Sequence, residues 1–164
     1  MCGIAGKLHW SNEQEINFSI IKKMCDNMAH RGPNVGTVEH LNNITLGHRR
    51  LSIIDLSPNA NQPMSSIDGR YHIVYNGEVY NFQNIRKELK NIGYVFNSSS
   101  DSEVVMYSFI EWGPKCLNKF NGMFAFAVWD SKTNELFLAR DRFGKKPLYY
   151  HLDKNNNFTF ASEL

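Results

Sequence analysis

Apolar residues recur at helical spacing in three stretches of the chain. One set, at every fourth position, predicts a first helix with a buried face: Ile16, Ile20, Met24 and Met28. A second stripe over 85–92 ends at Gly93, a usual helix terminator. A third helix is expected to begin at the capping-box sequence 100–103 and to bury an apolar face up to Trp112.

Apolar and β-branched runs outside these helices predict the strands. They lie at 4–10, 44–48, 51–56, 72–75, 78–80, 122–130, 135–140, 148–151 and 158–161. The run 122–130 is apolar on both faces, so this strand should be covered on both sides. Asn76-Gly77 predicts a tight hairpin turn. Eight or nine strands and three helices, without strict alternation, favour an α+β sandwich of largely antiparallel sheets with helices outside.

Composition and charge narrow the class of protein. The 164 residues are 42% hydrophobic and 21% charged, which is typical of one globular domain, expected to span 1–164. A net charge of +2 is too small to favour nucleic acid or an anionic membrane as a partner. No apolar run approaches the roughly 20 residues that span a bilayer. No basic segment precedes an apolar one, so we expect no secretory signal.

Cysteines and histidines bear on the compartment and on metal binding. The three cysteines are an odd number at wide spacing, which favours a reduced, cytoplasmic protein over a disulfide scaffold. The six histidines form no pair at metal-ligand spacing with Cys, Asp or Glu, so we expect no metal site.

Cys2 is the first candidate for chemistry because it directly follows the initiator methionine. Its side chain is small, so we expect an aminopeptidase to remove Met1 and leave Cys2 as the N-terminus. The residue would then carry a thiol, with an ordinary pKa of about 8.5, and an α-amine, with a pKa of about 7.7–8.0. That combination is a nucleophile with its own general base. The ordinary alternative is a cysteine that happens to fall early.

Other polar residues are candidates that each have an ordinary structural alternative. Asn76 and the Gly77 amide could stabilise an oxyanion, or could simply form the hairpin turn. One of the adjacent arginines at 49–50 could bind a carboxylate, or both could form a solvated surface pair. Glu78 and Asp101 could receive an ammonium group, although an acid in the first turn of a helix needs no function.

Together these motifs resemble the glutaminase domain of class II glutamine amidotransferases, which are N-terminal-nucleophile hydrolases, and especially the asparagine synthetase branch. The resemblance covers nearly the whole chain. It rests on Met-Cys-Gly-Ile-Ala-Gly at 1–6, His-Arg-Gly-Pro at 30–33, Gly-His-Arg-Arg-Leu-Ser-Ile-Ile-Asp at 47–55, Tyr-Asn-Gly-Glu-Val-Tyr-Asn at 75–81, Ser-Asp-Ser-Glu-Val at 100–104, Gly-Met-Phe-Ala-Phe-Ala at 122–127, and Arg-Asp-Arg-Phe-Gly with Lys-Pro-Leu-Tyr-Tyr at 140–150. The motif at 30–33 separates this branch from the phosphoribosyl and hexosamine amidotransferases.

The resemblance implies a four-layer αββα sandwich and a role for each candidate. Cys2 would attack the side-chain amide of glutamine, release ammonia and form a γ-glutamyl thioester that water cleaves. Asn76 and the Gly77 amide would form the oxyanion hole. The positions that match the family's glutamine-binding residues are Arg50 and the backbone near Ile53 for the α-carboxylate, and Glu78 and Asp101 for the α-ammonium.

The resemblance also implies partners. L-Glutamine is the expected substrate, and a homodimer is a further possibility. The family continues beyond this region into an ATP-dependent synthetase domain, which we expect to be absent from this chain and to consume its ammonia as a separate domain or subunit. No cofactor is expected in the glutaminase domain, since ATP and Mg²⁺ would serve only the synthetase domain.

Alternatives stay open at this point. The ammonia acceptor could be aspartate, or a sugar or other carboxylate. A non-catalytic regulatory relative would keep the fold, and an N-terminal-nucleophile peptidase would act on another amide. Asn34 and Lys145 depart from the family, which usually has Asp and an apolar residue there. Neither matches a ligand position, so only local packing or a partner interface is in question.

Overall fold

A computed structural model describes residues 1–9 and 14–164. Its helices in that part of the chain are α1 (Gln14–Asn27), α2 (Phe82–Asn91) and α3 (Asp101–Trp112). Its strands are β1 (Gly3–Leu8), β2 (Val35–Leu41), β3 (Ile44–Arg50), β4 (Met64–Ser65), β5 (Tyr71–Val79), β6 (Gly122–Asp130), β7 (Glu135–Arg140), β8 (Tyr149–Leu152) and β9 (Phe158–Ala161). Short 3-10 helices cover Pro58–Ala60 and Gly113–Asn118.

Two antiparallel sheets form the centre of the fold. The first has the strand order β2-β3-β1-β9-β8, and the second has the order β4-β5-β6-β7. In the first sheet β1 is central, with Gly3 opposite Arg49 of β3. In the second, β5 pairs with β6 along its whole length, from Tyr71 to Val79. The N-terminal strand is therefore held on both sides rather than left at an edge.

Three apolar clusters separate four layers. Ile21 and Cys25 of α1, together with Met28 directly after it, pack with Ala5 and Ala161 of the first sheet. The cluster between the sheets consists of Ile4, Ile44, Leu46, Val74, Ala125, Ala127, Trp129 and Phe160. The largest cluster joins the second sheet to α2 and α3. Strand β6 contributes to both of the last two clusters, as its two apolar faces predict, and the four-layer αββα sandwich is confirmed.

The buried stripe of α1 differs from the predicted one. Ile20 is 37% exposed, whereas Ile21 is fully buried. Four residues turn a helix by about 400°, so a strict four-residue stripe drifts away from the core face. The predicted strand end and loop at 10–13 lie outside the described residues, as does the side chain of Ile16.

Two predictions about helix ends are also corrected. Ile92 is exposed because α2 ends before it, and Gly93, with a φ of 104°, turns the chain away. Helix α3 begins where predicted, but its N-cap serine makes no side-chain capping bond. The Glu103 carboxylate instead accepts hydrogen bonds from the amides of Asn97 and Ser98, which holds the preceding loop against the helix.

No turn forms at Asn76-Gly77, so the hairpin predicted over 72–80 is wrong. Both residues continue β5, opposite Ala125 and Phe124 of β6. A Cβ atom on Gly77 would lie 2.6 Å from the carbonyl oxygen of Met123. The glycine therefore permits a close approach of two strands rather than a chain reversal. Pairing along the nine residues of β5 outweighs the local turn preference.

The strand predicted over 51–56 is also wrong, because β3 continues to Arg50 and an irregular loop follows. The Arg50 guanidinium donates hydrogen bonds to carbonyl oxygens of this loop and the residue after it. Asn34 Oδ1 accepts a hydrogen bond from the Ser52 amide at 3.1 Å. These bonds hold the loop without a strand partner. Strands β2 and β4 have no clear apolar alternation and escape prediction.

Candidate active site

One cavity of about 290 Å³ lies beside the start of β1, the ends of β3 and β5, and the start of α3. Seven residues predicted from the sequence all line it: Cys2, Arg50, Ile53, Asn76, Gly77, Glu78 and Asp101. They come from widely separated parts of the chain, and the packing of the two sheets brings them together. A thiol, a guanidinium, two carboxylates and an amide thus share one concave site.

Cys2 is held at the cavity by the strand that follows it. The Ile4 amide donates a hydrogen bond to Ser162 Oγ at 3.0 Å, and Arg31 Nε donates to the Cys2 carbonyl oxygen at 3.0 Å. The Leu51 amide lies 3.4 Å from Cys2 Sγ and donates to it. The Cys2 thiol donates in turn to the Leu51 carbonyl oxygen at 3.8 Å, so the backbone of Leu51 holds the sulfur in place.

Met1 occupies part of the same cavity. Its N-terminal ammonium donates a hydrogen bond to the Arg31 carbonyl oxygen at 3.1 Å, and its Sδ atom lies 3.1 Å from Lys146 Nζ. Met1 therefore stands beside the thiol, in space that a substrate would need. Its removal stays a prediction.

Arg50 forms part of the cavity wall together with the loop after β3. Its Nη1 atom donates hydrogen bonds to the Ser57 carbonyl oxygen at 2.8 Å and to Asn61 Oδ1 at 2.6 Å, and Nη2 donates to the Asp55 carbonyl oxygen. Only 6% of the residue is exposed, so the guanidinium is fixed in direction. Ile53 lines the same wall and is 72% exposed.

Three acids line the cavity in different environments. Asp101 Oδ2 accepts hydrogen bonds from the Tyr75 hydroxyl at 2.6 Å and from a backbone amide of β5 at 3.0 Å, yet burial raises the pKa of Asp101. Hydrogen bonds from Ser57 hold the pKa of Asp55 well below its usual range. Within the described residues the Glu78 carboxylate accepts no hydrogen bond, which leaves it available to a cation.

Asn76 carries an unused hydrogen-bond donor at the cavity. The residue is 1% exposed, and its Nδ2 atom has no hydrogen-bond partner among the described residues. A buried amide group without a hydrogen-bond partner lowers the stability of a folded protein by about 1–3 kcal/mol. An oxygen atom of a ligand in the cavity would satisfy it. Together with the backbone of Gly77, this donor has the chemistry that an oxyanion hole needs.

Other residues at the cavity escape prediction from the sequence. Gln62 Oε1 accepts a hydrogen bond from the Tyr75 amide at 2.6 Å. His48 lies outside the cavity lining and contacts it through Tyr75, where His48 Nε2 donates to the carbonyl oxygen at 3.2 Å. Burial lowers the pKa of His48 to about 4, so the ring is neutral near pH 7. Lys146, also at the cavity, is 5% exposed. No spacing connects these residues with Cys2, and only the family motif 146–150 marks Lys146.

Within residues 1–9 and 14–164, no group of three or more His, Cys, Asp or Glu residues could hold a metal ion. In the same ranges, no helix has the length and apolar character needed to cross a membrane. All three cysteines are free. The expected lack of a cofactor and the cytoplasmic location stay predictions.

Sequence comparison finds a glutamine amidotransferase domain family whose model matches residues 1–164. The chain is 40% identical over 166 residues to asparagine synthetase (glutamine-hydrolyzing) 3 of Bacillus subtilis strain 168, covering all of this chain and 27% of that protein. It is 41% identical over 168 residues to asparagine synthetase (glutamine-hydrolyzing) 1 of the same organism, covering 99% of this chain and 26% of that protein. The chain thus spans about a quarter of the length of these relatives.

Structure comparison finds a similar fold in glutamine phosphoribosylpyrophosphate amidotransferase from B. subtilis. The TM-score is 0.77 at 20% identity, over 99% of this chain and 42% of that chain. At this identity the likeness shows the fold alone. It agrees with the predicted four-layer sandwich of two antiparallel sheets.

Proposed function

Because the chain belongs to the glutamine amidotransferase domain family, we propose that it hydrolyses the side-chain amide of L-glutamine with Cys2 as the nucleophile. The observation that carries this assignment is the cavity that Cys2 shares with the buried, unpartnered Nδ2 atom of Asn76. A thiol that attacks an amide carbon needs a donor for the oxygen that becomes negative, and the described residues leave this one unused.

Charges elsewhere in the cavity fit the two backbone groups of free glutamine. Arg50 uses three of its N–H groups on the loop, and a guanidinium has five, so two remain for the α-carboxylate. The backbone near Ile53 would complete that subsite. Glu78 and Asp101 would receive the α-ammonium. The raised pKa of Asp101 reflects its burial, and an incoming cation would favour the ionised carboxylate.

The reaction begins when the α-amine of Cys2, free once Met1 is removed, takes the thiol proton. The sulfur forms a bond to the amide carbon, while Asn76 Nδ2 and the Gly77 amide donate to the oxyanion. As the C–N bond breaks, the ammonium of Cys2 gives its proton to the leaving nitrogen, which departs as ammonia. Water then cleaves the γ-glutamyl thioester, which yields glutamate and restores the thiol.

The consumer of the ammonia is proposed from the relatives. Both B. subtilis proteins are named as glutamine-hydrolyzing asparagine synthetases, and this chain matches about a quarter of each. We therefore assign its ammonia to an ATP-dependent synthetase domain or subunit that amidates aspartate. ATP and Mg²⁺ would act there, and the glutaminase site would need neither. The three free cysteines support a reducing, cytoplasmic setting.

The test is ammonia and glutamate formation from L-glutamine by protein whose loss of Met1 is verified by intact mass. Equal amounts of both products are expected. Cys2→Ala should abolish both and leave the melting temperature nearly unchanged, since the substitution removes one sulfur atom. L-Asparagine, one methylene shorter, serves as the substrate control and should react far more slowly. Ammonia release by Cys2→Ala at the wild-type rate would refute the assignment.

A further inference from the structure

Lys146 is a buried cation for which the proposed binding of glutamine provides no role. The residue is 5% exposed and lines the cavity with Cys2 and Glu78. Its Nζ atom has one hydrogen-bond acceptor in the described part of the chain, the Met1 Sδ atom at 3.1 Å. A thioether is a weak acceptor. No salt bridge within 4 Å forms between Lys146 and a carboxylate of the described residues.

The fold holds the backbone of Lys146 in place. Asp141 Oδ2 accepts hydrogen bonds from the Lys146 amide at 2.9 Å and from the Phe124 amide at 3.2 Å. Asp141 Oδ1 accepts from the amides of Phe143 and Lys145 at 3.1 and 3.0 Å. One carboxylate thus ties the turn to strand β6. A buried charge is costly unless an opposite charge accompanies it, so an ammonium buried at this position calls for an anionic partner.

The charges around Lys146 come from every element that borders the cavity. The cations are Arg31 after α1, Arg50 of β3 and Lys145 in the same turn. The acids are Asp55 in the loop after β3, Glu78 of β5, Asp101 of α3, Asp141 after β7, and Glu163, which forms a salt bridge with Arg31. Burial, followed by the charge of Arg31, lowers the pKa of Lys146, whereas Cys2, Glu78 and Asp141 raise it.

We propose that Lys146 is a positioning residue whose ammonium stabilises the negative charge that forms on Cys2 Sγ when the neutral α-amine takes the thiol proton. A positive charge in this cavity favours a thiolate over a thiol, and it disfavours protonation of the α-amine that removal of Met1 exposes. An ordinary α-amine, with a pKa of about 7.7–8.0, is mostly protonated at pH 7 and cannot act as a base. This role rests on the proposed function, in which Cys2 is the nucleophile.

Removal of Met1 is what would give the ammonium access to its partner. While Met1 is attached, its Sδ atom covers Lys146 Nζ, and the nitrogen of Cys2 is a peptide amide that cannot accept a proton. Once Met1 is gone, Lys146 loses that contact, and Cys2 gains the amine. The same cleavage therefore creates the general base, the α-amine of Cys2, and uncovers the Lys146 ammonium that favours the neutral form of this amine.

The test measures the rate of iodoacetamide alkylation of Cys2 against pH, without glutamine, in protein shown by intact mass to lack Met1. Cys25 and Cys116 are 2% and 0% exposed, and burial raises their pKa values to about 11 and about 12, so neither competes. The variants are Lys146→Met and Lys146→Gln, which are neutral, and Lys146→Arg, which keeps the charge. Lys145→Met is the matched control, because it removes a neighbouring lysine whose side chain is exposed.

The midpoint of the alkylation curve is expected to rise by about one pH unit in each neutral variant that folds. Lys146→Arg should restore it, and Lys145→Met should move it by less than about 0.3 units, because solvent screens an exposed charge. The acidic limb of the pH profile for kcat/KM should move with the alkylation midpoint. Unchanged midpoints in both neutral variants, or an equal change in Lys145→Met, would overturn the proposal.

Two further outcomes separate this role from others. A raised KM for glutamine with an unchanged alkylation midpoint would make Lys146 a substrate contact and would also overturn the proposal. If the wild-type protein released no ammonia from glutamine, the proposed function would fail. The alkylation curves would still decide whether Lys146 controls the ionisation of Cys2, since they require no substrate.

Discussion

Replacement of Asn76 by alanine is the sharpest test of the oxyanion hole. The substitution removes the Nδ2 donor from a residue that is 1% exposed. Loss of one such donor typically costs about 2.7–4 kcal/mol of transition-state stabilisation, which lowers kcat by about 10²–10³-fold. KM should change little, because the donor acts on the charge that develops during the reaction.

The stability of Asn76→Ala should change much less than its activity. Nδ2 has no hydrogen-bond partner among the described residues, so its removal breaks no bond of the fold there. The free energy of unfolding should therefore stay within about 1 kcal/mol of the wild-type value. The assay is steady-state glutamate formation, combined with urea unfolding of the same preparations.

Asn81→Ala provides the matched control for Asn76→Ala. Asn81 Nδ2 donates a hydrogen bond to the Lys119 carbonyl oxygen at 2.8 Å, and Oδ1 accepts from the Asn121 amide at 2.9 Å. This control should lose about 1–3 kcal/mol of stability, from two bonds, and keep its kcat. A decrease of kcat by less than about tenfold in Asn76→Ala would refute the oxyanion role.

The remaining predictions concern substrate binding, processing and acid stability. Arg50→Ala should raise the KM for glutamine strongly. Arg49→Ala should not, because Arg49 Nε donates to the carbonyl oxygen of Gly32, which does not line the cavity. Reversed effects of the two variants in steady-state kinetics would contradict the assignment of Arg50. Protein that keeps Met1 should have a kcat lower by about 10²–10⁴-fold, because the Cys2 nitrogen is then a peptide amide that cannot act as a general base. Full activity of protein shown by mass spectrometry to keep Met1 would exclude the α-amine of Cys2 as the general base. Hydrogen bonds from Arg70 lower the pKa of Asp130 in the folded protein below its unfolded value of about 3.9. The pair therefore stabilises the fold fully above about pH 3.9, and this contribution is lost as the pH falls through the pKa of Asp130 in the folded protein. The difference in unfolding free energy between wild type and Arg70→Met should therefore shrink from pH 6 to pH 2, and a constant difference would contradict this linkage.

Local patterns predicted the elements whose own residues decide their structure. Strand β6 matches the apolar run 122–130, and β9 matches 158–161. Helix α3 begins at the predicted residue because an acid-rich first turn marks it. These signals are reliable because burial on one face or on both faces leaves a period in the sequence.

Elements that depend on a distant partner were not predicted. Asn76-Gly77 has the chemistry of a turn, but pairing with β6 keeps it extended, and only the register shows Gly77 against Met123 and Phe124. The loop over 51–56 has the composition of a strand, yet the Arg50 guanidinium binds its backbone, and none of the strands in the described ranges pairs with it.

By itself the sequence determined the family and predicted seven site residues, because the order and identity of its motifs carry that information: Cys2, Arg50, Ile53, Asn76, Gly77, Glu78 and Asp101. Only the tertiary structure decided that these residues line one cavity with Lys146, and that Asn76 has a donor which no other described residue uses. Sequence motifs specify side-chain chemistry, whereas burial and the presence of a partner depend on which distant strands pack together.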